Sequence, residues 1–543
     1  MAVIGGVAAI VVGATGFGVY ALVGGEEERT PGKENVAAAS GGGESPEAVE
    51  TGPPGAEEVR ETAGDFLETW ADGDLRQAAA HTDDQTAALE ALTAFREEAK
   101  VAEVGLNPGA PSGTEVPFRV TAQLAHEDLR QAWAYDGSLE VVRDEQTGDP
   151  LVHWEPSVLH PELKEGQSVV TGEAGDPEVE TVDRAGDPLT AEDHPTLSAV
   201  LADVRKRYAD DVEGTPGVRT RIVDAEGKDT GTTLKKLSEG EPGELRTTID
   251  PEVQAAAEAA VAGKAKAAVV AVQPSTGEIL AMANSPAQGF NTAFQGSYAP
   301  GSTMKVVTAA MLMDKGLASP NAAHPCPKYF TYGHWKFQND DKFQIQGGTF
   351  AQSFARSCNT AFISQAPELE NDSLTREARE VFGIGLNWQV GTTTFDGAVP
   401  VQKAAQMGAS LIGQGGVRMN PLNMASVSAT VKSGVFKQPY LVPPEVDGRT
   451  LARAPRTMKP AVANGLRQMM RLTAVGGTAA RPMAGMSGDF GAKTGSAEVM
   501  GQKKPNAWFT AYSGDVAAAA VVPDSGHGGE YAGPIVRKVL DAG

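Results

Sequence analysis

Ser302 and Lys305 stand three residues apart in YAPGSTMKVVTAAMLMDKG, with Pro300 and Gly301 just ahead of an apolar helical stretch. That spacing stacks a hydroxyl and an amine on one helix face. A helix N-terminus favours negative charge developing beside the hydroxyl. A serine hydroxyl is a weak nucleophile until a neighbour takes its proton, and a lysine can take it only when neutral. Taken alone, S-x-x-K has an ordinary reading as a helix cap with a solvated lysine. Two further clusters make it more: Ser357-Cys358-Asn359 in FAQSFARSCNTAF and Lys493-Thr494-Gly495-Ser496 in GAKTGSAE. In that order they supply a second hydroxyl, an amide and a second amine, the parts that a three-part site needs.

Other chemistries fit less well. No G-x-S-x-G occurs, and no histidine lies near the three clusters in the sequence, so the eight histidines read as surface or structural residues. Ala492 precedes Lys493 where a phosphate-binding loop needs glycine. Neither C-x-x-C nor H-E-x-x-H is present, so neither metal nor other cofactor is signalled. A formal net charge of -24 disfavours nucleic acid and anionic lipid surfaces as partners.

These clusters must be positioned by a long chain. At 543 residues it exceeds one hydrophobic core and reads as several units. Residues 1–25 carry no charged side chain and are long enough to cross a bilayer, so they predict a single membrane anchor, with a secretory signal as the alternative. Residues 26–56 are Gly, Pro, Ala and Glu with almost no large apolar side chain, the composition of a disordered linker. Residues 57–163 predict a small helix-plus-sheet domain. Phe66, Leu67 and Trp70 lie at helical spacing, Val116, Phe118, Val120, Ala122 and Leu124 alternate, and VHWEPSVLHPEL closes the unit. Residues 164–246 are acidic and Gly-rich and read as a pedestal. The last domain, 247–543, opens with a helix capped by Asp250 and led by Pro251, then a buried hairpin in AAVVAVQPSTGEILAMANSP.

S-x-x-K, S-x-N and K-T-G in this order resemble the penicillin-binding protein and serine β-lactamase family. VVAVQPSTGEILAMANSP, SLIGQGGVRMNPLNMA and NAWFTAYSG extend the resemblance over 247–543. The N-terminal half is similar to class B penicillin-binding proteins whose NTF2-like domain ends in a W-x-P-S-x-x-H-P-like run, here Trp154 to Pro161. The Ala-, Gly- and Val-rich usage suggests the actinomycete type. The resemblance implies an α+β multidomain protein: a transmembrane helix, an NTF2-like cone, a dimerisation-type pedestal, and a transpeptidase domain with a central antiparallel sheet flanked by helices.

The family pattern also assigns roles. Ser302 is the nucleophile and Lys305 its base, with the lysine pKa lowered from about 10.4 towards roughly 7 to 8 by burial and by the Lys493 cation. Ser357 relays a proton, and Asn359 binds a substrate amide. Thr494 and Ser496, either side of Gly495, hold a substrate carboxylate, and the N–H groups of Ser302 and Ser496 form the oxyanion hole. Position 496 is more often Thr in the family. The implied reaction is D,D-transpeptidation of peptidoglycan stem peptides, blocked covalently by β-lactams, in a catalytic domain outside the cell and beside a glycosyltransferase. Disulfides persist there, so Cys326 and Cys358 are expected to pair rather than remain free thiols. A β-lactam sensor or scaffold and a β-lactamase-like hydrolase are the alternatives.

Overall fold

Helix formation starts at Ala56 in the computed structural model, which describes residues 51–175 and 177–543. The anchor expected at 1–25 and most of the linker expected at 26–56 lie outside the described residues. Within them, no helix is long and apolar enough to cross a membrane.

The first unit packs α1 (Ala56–Asp72), α2 (Leu75–Ala80) and α3 (Gln85–Glu97) on an antiparallel sheet of β1 (Val101–Pro108), β2 (Glu115–His126), β3 (Leu129–Arg143) and β4 (Pro150–His153). In α1 the Gly55 N–H donates to the Glu58 carboxylate, 2.7 Å away, so the first turn closes on itself. The helix stops where Gly73 takes φ 79°, a left-handed value that glycine adopts without cost. Alternation along β2 turns Val116, Phe118, Val120, Ala122 and Leu124 inward, where Phe118 and Phe95 meet Trp70 at ring distances of 6.3 and 6.0 Å. His160, in the closing run, stacks on Trp133 at 5.4 Å and seals the far end. A cavity of about 170 Å³ between α1, α3 and β1 is smaller than the roughly 300–1,000 Å³ of small-molecule pockets.

The next stretch forms β5 (Ser168–Glu173), β6 (Val179–Val182), α4 (Ser198–Arg207), β7 (Val218–Val223), β8 (Asp229–Lys236) and β9 (Gly243–Arg246). It divides its apolar side chains between two cores. Val169, Val218, Ile222 and Leu237 join the N-terminal core. Leu197, Val200, Val204, Tyr208 and Leu245 join the core of the last unit. Residues 164–246 thus tie the cone to the catalytic body by burial on both sides.

The last unit contains α5 (Pro251–Val261), β10 (Ala267–Val272), β11 (Ile279–Ser285), α6 (Thr292–Gln295), α7 (Lys305–Asp314), β12 (Tyr329–Tyr332), β13 (Trp335–Gln338), α8 (Phe350–Ala355) and α9 (Asn359–Ile363). It continues through α10 (Ser373–Glu380), α11 (Ala404–Ser410), α12 (Pro421–Ser433), α13 (Pro460–Gly476), β14 (Phe490–Ala497), β15 (Asn506–Ser513), β16 (Val516–Val522), α14 (Gly528–Tyr531) and α15 (Gly533–Leu540). Its antiparallel sheet runs β11-β10-β16-β15-β14. Helices cover both faces, which is why β10 and β16 read as unbroken apolar runs. Ala268, Val270 and Val272 face one core, and Ala267, Val269 and Ala271 face the other, where α5 and α15 lie. β14, which carries Lys493 to Ser496, is an edge strand, and at Gly495 it lies against the backbone of Pro300 and Thr303.

Candidate active site

Ser302 lies on a single 3-10 turn, Gly301–Met304, and Lys305 is the first residue of α7. The helix expected to start at Ser302 starts instead at Lys305, and the serine sits on the tight turn just ahead of it. Val306, Val307, Ala309, Ala310 and Leu312 are all fully buried, so α7 runs through the core and is apolar on every side. This holds the Lys305 amine in a dry environment, 0 % exposed.

Four oxygens surround that amine: Ser357 O at 2.7 Å, Asn359 Oδ1 at 2.7 Å, Ser302 Oγ at 3.0 Å and Ser357 Oγ at 3.2 Å. The two shortest are carbonyl oxygens, which can only accept. A neutral amine has two N–H donors, which satisfy them, and one lone pair, which points to a hydroxyl. Burial drives the Lys305 pKa well below its ordinary value, and the positive charge of Lys493 adds to that. Lys305 thus matches a base with Ser302 O–H as its donor.

Ser357 and Asn359 reach Lys305 because the chain turns sharply between α8 and α9. Ser357 sits at φ 58°, in the left-handed region a non-glycine residue rarely takes. The turn is held from three sides. Cys358 N–H donates to Ser353 O at 2.8 Å. Asn339 Oδ1 accepts from the N–H groups of Asn359 (2.7 Å) and Thr360 (3.1 Å). Cys358 is joined to Cys326, 32 residues earlier. Closing a loop of that length stabilises the fold by about 3–4 kcal/mol in the chain-entropy account. The double variant Cys326→Ser, Cys358→Ser should lose that amount in urea titration; an unchanged midpoint would show that the bond contributes nothing. Asn339 was invisible to sequence reasoning. Its only signal is position, beside the S-x-N turn in space and 18 residues from Ser357 in the chain.

Lys493 is also fully buried and donates to Ser357 Oγ and Thr494 O, each at 2.9 Å. Ser357 Oγ therefore bridges the two amines. Burial lowers the Lys493 pKa to about 7, so this group too is poised between its two forms near neutrality and is not a fixed cation. Gly495 permits the approach of β14 to the serine turn: a Cβ there would lie 2.9 Å from Pro300 O and 3.0 Å from Thr303 N. Both are backbone atoms and cannot swing away. Gly495→Ala should push β14 outward and slow penicillin acylation at least about tenfold in stopped-flow measurements, because small misplacements in a site are costly.

Of the remaining expected residues, Thr494 Oγ1 pairs with Thr478 Oγ1 at 2.6 Å, so a carboxylate there would share Thr494 with Thr478. Asn359 has one amide end on Lys305 and donates from Nδ2 to Gln338 O at 3.1 Å, leaving one N–H. Ser496 has one of the exposed histidines as its neighbour. Its Oγ is 3.5 Å from His527 Nδ1, and Gly528 N–H donates to it at 3.4 Å. His527 follows Ser496 by 31 residues, and only the return of the chain after β16 brings the two together.

The description "Penicillin binding protein transpeptidase domain" matches residues 267–541. This chain belongs to the penicillin-binding protein transpeptidase family. "NTF2-like N-terminal transpeptidase domain" matches residues 58–167. The chain is 30% identical over 361 residues to the peptidoglycan D,D-transpeptidase PbpA of Mycolicibacterium smegmatis, covering 55% of this chain and 72% of that one. It is 30% identical over 371 residues to PbpA of Mycobacterium tuberculosis, with the same two shares. Among solved structures, the D,D-transpeptidase domain of an Eggerthella lenta peptidoglycan glycosyltransferase shares the fold at a TM-score of 0.51 and 22% identity, over 68% of this chain and 98% of that one. In this family member the S-x-x-K, S-x-N and K-T-G elements meet at Ser357 Oγ, 3.2 Å from the Lys305 amine and 2.9 Å from that of Lys493.

Proposed function

We propose that this protein is a peptidoglycan D,D-transpeptidase acting through an acyl-serine, and that the environment of the Lys305 amine carries that reading. Lys305 takes the Ser302 proton as Ser302 Oγ attacks the carbonyl of a D-Ala-D-Ala peptide. Ser357, between Lys305 and Lys493, passes a proton to the departing D-Ala amine. The N–H groups of Ser302 and Ser496 bind the developing oxyanion, the free Asn359 N–H takes a substrate carbonyl, and Thr494 with Ser496 takes the terminal carboxylate. An amine of a neighbouring stem peptide then receives the acyl group in a ping-pong sequence. β-Lactams acylate the same serine.

The domain limits at 57–163, 164–246 and 247–543 belong to the same proposal. So does an anchor at 1–25 that holds the catalytic domain outside the cell in single-pass topology. Cross-linking needs polymerised strands, so a glycosyltransferase is the partner this chemistry calls for. Intact mass after treatment with benzylpenicillin tests the reading. One adduct is expected on the peptide bearing Ser302, persisting for hours. An adduct elsewhere would reject the site, and turnover within seconds would favour a hydrolase.

A further inference from the structure

Both catalytic amines bear on a question the acylation step leaves open: how a cationic acceptor enters. A primary amine with a pKa of about 10 arrives as an ammonium at neutral pH, and Lys305 and Lys493 repel it whenever either is charged. Asp340 offers a compensating charge at the mouth. It follows directly on Asn339, which is buried and holds the start of α9, and Asn359 Nδ2 bonds the carbonyl of nearby Gln338. The backbone beside Asp340 is thus tied to the S-x-N turn, while its side chain is 71% exposed. The carboxylate lies 3.9 Å from His527 Nδ1 on the opposite wall, next to Ser496. Its negative charge is felt at Lys305, where it opposes the lowering of the pKa. Among the described residues, His527 is the one side chain within ion-pair distance of it.

We infer that Asp340 is a specificity residue for the acceptor, drawing the ammonium group of the second stem peptide between the S-x-N and K-T-G walls towards acyl-Ser302. This rests on the transpeptidase reading. The ammonium releases one proton to solvent and attacks the ester carbonyl. The amide C–N bond forms, the ester C–O bond breaks, and the second amine proton returns to Ser302 Oγ.

The test uses the full chain, a thioester analogue of the donor peptide, and two acceptors: a lysine-containing peptide, cationic at neutral pH, and hydroxylamine, which is uncharged there. Fluorescent-penicillin titration counts competent sites, so rates are compared per site. In Asp340→Asn the ratio of transfer to hydrolysis should fall about 5- to 10-fold with the lysine acceptor and stay level with hydroxylamine. Asp340→Glu should restore most of the ratio, and added salt should lower it in the wild type but not in Asp340→Asn. An unchanged ratio, or an equal loss with both acceptors, overturns the inference and leaves the transpeptidase reading standing. A wild-type protein that hydrolyses the donor but transfers to neither acceptor overturns both.

Discussion

Ser302→Ala should abolish covalent labelling by fluorescent penicillin and lower donor-peptide transfer by at least about 10⁴-fold, while thermal unfolding stays close to wild type. The reason is that, among the described residues, Ser302 Oγ is the hydroxyl nearest the Lys305 amine, at 3.0 Å. Removing a covalent nucleophile leaves only oxyanion binding and orientation, which act on the wrong reaction path. Ser357 cannot substitute for it. Its hydroxyl is held between Lys305 and Lys493 at 3.2 and 2.9 Å. Gel labelling of both proteins decides the matter, and a labelled Ser302→Ala band would place the nucleophile elsewhere.

Lys305→Met should slow acylation by about 10²- to 10⁴-fold, the usual contribution of a positioned base. Lys305→Arg should rescue none of it, since a guanidinium keeps its proton. pH separates this role from a packing role. Burial lowers the pKa of Lys305 and brings Lys493 to about 7, so the wild-type acylation rate should fall as pH drops from neutrality and the pair regains protons. The two amines share Ser357 Oγ, so the apparent pKa belongs to the pair. Stability carries the same sign. Above about 7 the unfolded chain binds more protons at these lysines than the folded one, so folding stability should rise with pH from about 7 towards the unfolded lysine value near 10.4. Urea titrations across that range should give a flatter slope for Lys305→Met. An equal slope would mean that the amine is not buried in solution.

Much of this was legible beforehand because it is local. Helix spacing paired Ser302 with Lys305, strand alternation set the inward face of β2, and Asp250 with Pro251 marked the start of α5. The β10–β11 hairpin showed as two apolar runs around a turn, but not why neither run alternates. That follows from helices covering both sheet faces. The stretch 164–246 illustrates the same limit: its composition suggested one pedestal, whereas its side chains are shared between two cores. His527 is exposed, as the histidines were expected to be, but its place beside Ser496, 31 residues away along the chain, is set by the fold alone.

The sequence by itself determined the chemistry available, a serine, two lysines, a serine-asparagine pair and a glycine in a set order. Tertiary structure decided how readily the two amines give up their protons. Two lysines are ordinarily two exposed cations, and nothing local in S-x-x-K or K-T-G says otherwise. Only the packing of α7, α9 and β14 around 0 % exposed amines removes the water that would keep them charged. Only the left-handed Ser357 turn, pinned by Asn339 and Cys326, brings the acceptor oxygens that leave Lys305 a lone pair for Ser302.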